Sequence, residues 1–228
     1  MEVKRKIIAV SIAGFLSLAG VAHADYNPYG VQNDVAFTEV VNGGWSVIYQ
    51  GSYDEMAVDI QSIFNSIVAG SRVMLAARYS PLETGPSATF DVLAAATKEE
   101  VLTYTTLNAT HAANGAEWYF NGYSMGFAGQ GDTIDQFTAD TNGLDERDRL
   151  SWHTSLDGGW VNQDPDFAPN YIDAGWRSGS NTSLNGAYDW QRYVLVQTAP
   201  VPEPETYAML LAGLGLLGLM RRRKARTA

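Results

Sequence analysis

Six dipeptides, Asn42-Gly43, Asn114-Gly115, Asn121-Gly122, Asn142-Gly143, Asp157-Gly158 and Asn185-Gly186, interrupt the short apolar runs of this chain. Asn, Asp and Gly tolerate the positive φ that tight turns require. Turns at this frequency leave little room for long helices and predict an all-β domain. Between them, Val73, Leu75, Ala77 and Tyr79 alternate with Arg72 and Arg78, as in a strand with two unlike faces. Further strands are expected at 35–40, 45–50, 90–94, 117–121 and 190–197. The last is apolar on both faces through Tyr193, Val194, Leu195 and Val196, which marks a central strand. One segment keeps a different period. Ile60, Ile63, Phe64 and Ile67 fall on one stripe of a helix about three turns long that ends near Gly70. Residues 129–169, rich in Asp, Asn and Gly, read as long loops around short strands. The expected fold is a β-sandwich, jelly-roll-like, with one short helix.

The ends differ from this middle. Lys4, Arg5 and Lys6 precede an apolar run over 7–21, and the triplet Ala22-His23-Ala24 follows. A basic start, a short apolar core and a small-x-small site form a secretory signal, so residues 1–24 are expected to be cut off after Ala24. At the other end Pro202, Glu203 and Pro204 precede an apolar stretch at 207–220 and the cluster Arg221, Arg222, Arg223, Lys224 and Arg226. Two prolines at alternate positions keep the chain extended and accessible. The apolar stretch rises about 21 Å as a helix, short of a hydrocarbon core of about 30 Å. Snorkelling arginines and local thinning of the bilayer make up part of the gap. Leucines at 210, 211, 214, 216, 217 and 219 surround the helix, which leaves no polar face for lying on a surface. The basic cluster fixes the tail as cytoplasmic and Pro202 as external. The chain therefore divides into a signal peptide (1–24), an extracytoplasmic domain (25–200) and a C-terminal segment (201–226) with one transmembrane helix.

The order Pro202-Glu203-Pro204, short helix, Arg221 to Lys224 resembles the sorting end of the bacterial PEP-CTERM proteins. The resemblance covers this end alone. It implies recognition by an exosortase, a membrane enzyme that cuts near the motif and passes the protein to the cell surface or medium. It also implies a transient stay in the inner membrane with the domain in the periplasm, in a cell that makes exopolysaccharide.

Residues 25–200 hold 7 basic against 22 acidic side chains. Such a charge excludes nucleic acid or anionic lipid as the partner of the domain, because both are bound by neutralising phosphate. Cysteine is absent, which removes disulfide frameworks and cysteine nucleophiles. The mature chain retains His111 and His153, neither in a nucleophile-elbow motif. A triad built from Ser151, His153 and Asp148 or Asp157 is conceivable, but nothing else in the sequence supports one. Glycoside hydrolysis needs two carboxylates, and the many acidic residues single out no pair. Asp145, Glu146 and Asp148 alternate with Arg147 and Arg149 and read as a partly paired loop. Calcium suits the clusters Asp140, Asn142, Asp145 and Asp164, Asp166, Asp173, although neither fits the EF-hand spacing. Of the tryptophans, Trp45, Trp118 and Trp190 lie in apolar strands and belong in the core, as does Phe120. Trp152, Trp160 and Trp176 lie in the polar region and are the candidates for stacking on sugars. The expectation from sequence is a non-enzymatic surface or matrix protein associated with exopolysaccharide. A carbohydrate-binding module with Ca²⁺-organised loops stands second and a glycoside hydrolase third.

Overall fold

The computed structural model describes residues 25–106, 108–135, 140–141, 146–155 and 169–197. The expected signal peptide, the Pro-Glu-Pro motif, the helix at 207–220 and the basic cluster lie outside the described residues. The strands are β1 (Gln32–Ala36), β2 (Ser46–Ser52), β3 (Val58–Asp59), β4 (Arg72–Tyr79), β5 (Thr89–Thr97), β6 (His111–Ala113), β7 (Ala116–Phe120), β8 (Ser124–Gly129), β9 (Ile134–Asp135), β10 (Asp140–Thr141), β11 (Leu150–Ser155), β12 (Tyr171–Ser178) and β13 (Trp190–Gln197). Three short helices join them: α1 (Phe37–Asn42), α2 (Ile60–Asn65) and α3 (Lys98–Val101).

The strands form two antiparallel sheets packed face to face, plus the small β9–β10 ladder. The first sheet has the order β1-β5-β4-β13-β2, and the second has β3-β12-β11-β8-β7-β6. Alternation sets the shared core. Val73, Leu75 and Ala77 of β4, Val92, Ala94 and Ala96 of β5 and Val194 of β13 meet Trp118, Phe120, Met125, Phe127, Leu150, Trp152 and Ile172 of the second sheet. The expected central strand is found as β13, flanked by β4 and β2 with both faces buried. The Asn114-Gly115 turn joins β6 to β7, with φ of 46° and 77° at its two residues, the pairing that lets a two-residue hairpin follow the strand twist.

Five sequence expectations change, the first being the one short helix, where the described residues hold three. Residues 35–40 are not one strand: β1 stops at Ala36 and α1 begins at Phe37, because Val40 and Phe37 are needed on the outer face of the first sheet against Phe90 and Tyr193. Tertiary burial there overrides a β-branched local sequence. The helix at Ile60 is shorter than its stripe. α2 ends at Asn65, while Ile60, Phe64 and Ile67 all turn into the shared core, and Asp59 caps it by accepting from the Ser62 amide at 2.9 Å. The jelly-roll order is not followed either. β6, β7, β8, β11 and β12 are neighbours in chain order within one sheet, a meander, whereas a jelly roll is built from Greek keys. β11, in the region expected to be loops around short strands, is an interior strand between β8 and β12.

Candidate functional site

Three places are candidates: the polar outer face of the second sheet and each of the two opposite ends of the sandwich.

On β8, β11 and β12 the register sets Ser124 opposite His153 and His153 opposite Asp173. Their neighbours Met125, Trp152 and Ile172 point into the core, so these three share the outer face. Burial lowers the His153 imidazole below its ordinary value, against the opposing pull of the Tyr123 carbonyl and the Asp173 carboxylate. Trp176 packs on the imidazole at 6.2 Å between ring centres. Asp173 is fully buried; its Oδ1 accepts from the Ala57 amide at 2.7 Å, and its Oδ2 has no hydrogen-bond partner. Ser, His and Asp in a row have the composition of a hydrolytic triad, but neither Ser124 nor Ser151 gives its hydroxyl to His153. The hydroxyls of Ser124 and Ser151 are buried without any hydrogen-bond partner, so His153 holds neither as a base would. His111 lies on β6 opposite Trp118 with both ring nitrogens buried and unbonded.

Beneath this face lies Arg192, fully buried on the inner face of β13. Its Nη1 donates to the Ala174 carbonyl at 2.7 Å and its Nη2 to the Glu55 carbonyl at 2.8 Å. Ala174, at φ 41°, belongs to an irregular stretch of β12 that also presents Gly175 to the core. A Cβ at Gly175 would run into the Tyr53 ring, which is held by a bond to the Arg177 carbonyl and one from the Trp152 indole. Arg192 therefore ties the first sheet to the distorted strand of the second.

Trp152 is corrected by this arrangement. It is completely buried on the inner face of β11, with Nε1 donating to the Tyr53 hydroxyl at 3.3 Å, and cannot stack on a sugar. The polar residues around it in sequence face the other way, which is why the segment looked exposed. Trp176 is half-buried on the outer face, and Trp160 lies outside the described residues. Trp45, Trp118, Phe120 and Trp190 are buried as expected.

Of the calcium candidates, Asp173 sits in a strand with its carboxylate on a backbone amide. The side chains of Asp140, Asn142, Asp145, Asp164 and Asp166 lie outside the described residues. Among the described residues no three His, Asp or Glu side chains converge as metal ligands. The acidic loop at 146–149 is partly paired as read, with Arg149 Nη2 at 3.7 Å from Glu146 Oε1. Burial first and then the Asp148 charge raise the Asp132 carboxyl above its ordinary value.

The two ends of the sandwich are unlike. At one, the Gly43 carbonyl accepts from the Tyr26 amide at 3.0 Å and from Gln197 Nε2 at 3.3 Å, so the first described residues and the end of the last strand meet at one atom. At the opposite end, where Tyr79 pairs with Trp190, Tyr79 packs on that indole at 5.3 Å and is exposed, as are Leu82 and Tyr188. None of these rim residues stood out in the sequence. The signal available was a tyrosine ending an alternating strand just before Ser80-Pro81.

Residues 200–224 match the family model of the PEP-CTERM protein-sorting motif. No curated protein and no solved structure matches the chain. The motif implies export, processing by an exosortase and sorting toward the cell surface. Among the described residues no helix is long and apolar enough to cross a membrane.

Proposed function

We propose that the chain is a non-enzymatic surface or matrix protein, delivered by exosortase processing and associated with exopolysaccharide. The match of residues 200–224 to the sorting motif carries this reading. Its acidity, 7 basic against 22 acidic side chains over residues 25–200, fits this reading by keeping such a protein soluble and apart from polyanions. In this account the signal peptide at 1–24 is cut off after Ala24, and the helix at 207–220 holds the domain at the inner membrane by the end where Tyr26 and Gln197 meet. The rim of Tyr79, Leu82 and Tyr188 then faces away. Fractionating a culture tests the proposal: the chain is expected with the exopolysaccharide of the cell surface or medium, and recovery wholly in washed cell membranes contradicts it.

A carbohydrate-binding module is the second reading, favoured by that exposed rim, since a packed Tyr79–Trp190 pair offers a fixed aromatic face to a sugar ring. Loss of exopolysaccharide retention on Tyr79→Ala and Tyr188→Ala, with an unchanged melting temperature, supports it. Calcium-organised loops belong to this reading, and they require a melting temperature that rises with free Ca²⁺. Depolymerisation of purified exopolysaccharide by the exported chain would instead establish the glycoside hydrolase.

A further inference from the structure

The Asn-Gly pairs that punctuate this chain carry a chemistry of their own. A glycine has no Cβ to keep its backbone nitrogen away from the Cγ of the asparagine before it, so Asn-Gly is the dipeptide most prone to lose its side-chain amide. Attack needs a nitrogen released from hydrogen bonds and a side chain free to turn toward it. Asn42-Gly43, Asn114-Gly115, Asn121-Gly122 and Asn185-Gly186 fall among the described residues, whereas Asn142-Gly143 lies outside them. The fold treats these four differently.

At the end of α1 the Gly43 nitrogen donates to the Glu39 carbonyl at 2.9 Å and to the Val40 carbonyl at 3.1 Å. It is engaged. Asn114 Nδ2 is clamped by the Pro28 carbonyl at 2.9 Å and the Ala95 carbonyl at 2.7 Å. Asn121 is fully buried, and its Oδ1 accepts from the Tyr123 and Ser124 amides at 2.9 and 3.2 Å. Asn185 and Gly186 instead form the middle of a turn closed by the Ala187 amide on the Leu184 carbonyl at 2.8 Å, with Gly186 at φ 80°. Gly186 is exposed, its nitrogen makes no hydrogen bond among the described residues, and a Cβ there would meet no atom within 4 Å. The half-buried Asn185 side chain borders the His153 imidazole, and its Oδ1 has no hydrogen-bond partner.

We propose that Asn185 is a site of spontaneous deamidation, the one that the fold leaves open among the described Asn-Gly pairs. The Gly186 nitrogen bonds to Cγ of Asn185 and releases its proton to solvent. The Cγ–Nδ2 bond then breaks with its electron pair on nitrogen, which takes up a proton and leaves as ammonia, and a succinimide ring closes. One water adds to either imide carbonyl and reopens the ring. Opening at the side-chain carbonyl gives aspartate, and opening at the backbone carbonyl gives isoaspartate. Nothing is oxidised or reduced, and water is the only co-reactant, so the change runs its course whatever the domain binds. The new carboxylate falls beside His153, where it favours the charged imidazole that burial disfavours.

The test ages the exported protein in mildly alkaline buffer, at a temperature where it stays folded, and follows the four asparagines by peptide mass spectrometry. Asn185 is expected to convert at least about tenfold faster than Asn114, whose two side-chain bonds must break first. Its product is expected as a mixture of aspartate and isoaspartate, the mark of the succinimide. In urea, where the fold no longer selects, the four are expected to convert at similar rates. Gly186→Ala, which shields the nitrogen with a Cβ, is expected to slow conversion at Asn185 and leave the other three unchanged. Equal rates at the four sites in the folded protein, or aspartate without isoaspartate at Asn185, overturn the proposal. A preference for Asn185 that persists in urea, or a Gly186→Ala variant that converts at the wild-type rate, overturns it equally. Should that variant fail to fold, the wild-type comparison of folded and urea-treated protein decides alone.

Discussion

The outer faces of the two sheets are both covered, but by opposite chemistry. On the first sheet Val40, Trp45, Met74, Ala76, Phe90, Leu93, Ala95, Tyr193 and Leu195 form a second apolar layer. On the second sheet the buried apolar patch is small, Tyr119, Ala128 and Ile134, and beside it Ser124, Ser151 and Asp173 are fully buried polar residues. Apolar burial stabilises through area removed from water, whereas a buried hydroxyl without a partner costs free energy. The first sheet therefore carries the stability, and the second tolerates polar groups because Arg192 and the packed core hold its shape from beneath.

Substitutions sharpen the contrast. Arg192→Ala is expected to cost the most, about 3–5 kcal/mol in urea denaturation, since it opens a cavity and strips the Ala174 carbonyl of the guanidinium. Arg192→Met should recover part of this, because a packed apolar chain replaces a buried charge at small net cost. Met74→Ala, on the outer face of the first sheet, is expected to cost about 2–4 kcal/mol. On the second sheet, His153 titrates below its ordinary 6.5 in the fold. As pH falls through 6.5 the unfolded chain takes up a proton that the native state does not, so stability declines, by at most about 1.4 kcal/mol per pH unit. His153→Gln should flatten this part of the stability curve, measured from about pH 7.5 to about 5.5. Ser151→Ala should be the mildest, within about 0.5 kcal/mol of the wild type and of either sign, because it removes a hydroxyl that bonds to nothing. A large loss there would break the comparison.

The same contrast explains what the sequence made legible. β4 was readable as a strand from the alternation of Val73, Leu75 and Ala77, and β13 from its run of apolar residues on both faces, although β4 too is buried on both faces from Val73 to Arg78. β11, Leu-Ser-Trp-His-Thr-Ser, has the alternation of a strand with one wet face, yet five of its six residues are buried. A pattern of polar and apolar residues records which face a side chain takes, and it does not record whether another layer covers that face. Trp152 was misplaced for that reason: its polar neighbours marked the opposite face, not exposure. The helix at Phe37 was hidden because Val40 and Val41 carry strand preference, and only packing on Phe90 and Tyr193 turns the chain. The sorting tail was legible as an ordered set of chemical parts, Pro-Glu-Pro, apolar run and basic cluster, because each acts through local properties that need no fold.

The central claim is that this tail is a processing signal rather than a plain anchor, and replacing Pro202 and Pro204 together by Ala tests it most directly. Insertion depends on the apolar run and the basic cluster, which the change leaves alone. Recognition depends on the extended segment that the prolines stiffen. The account predicts that the double variant stays in the inner-membrane fraction at uncut size while the wild type leaves it at reduced size. Release of the double variant in wild-type amount and at wild-type size would contradict the account.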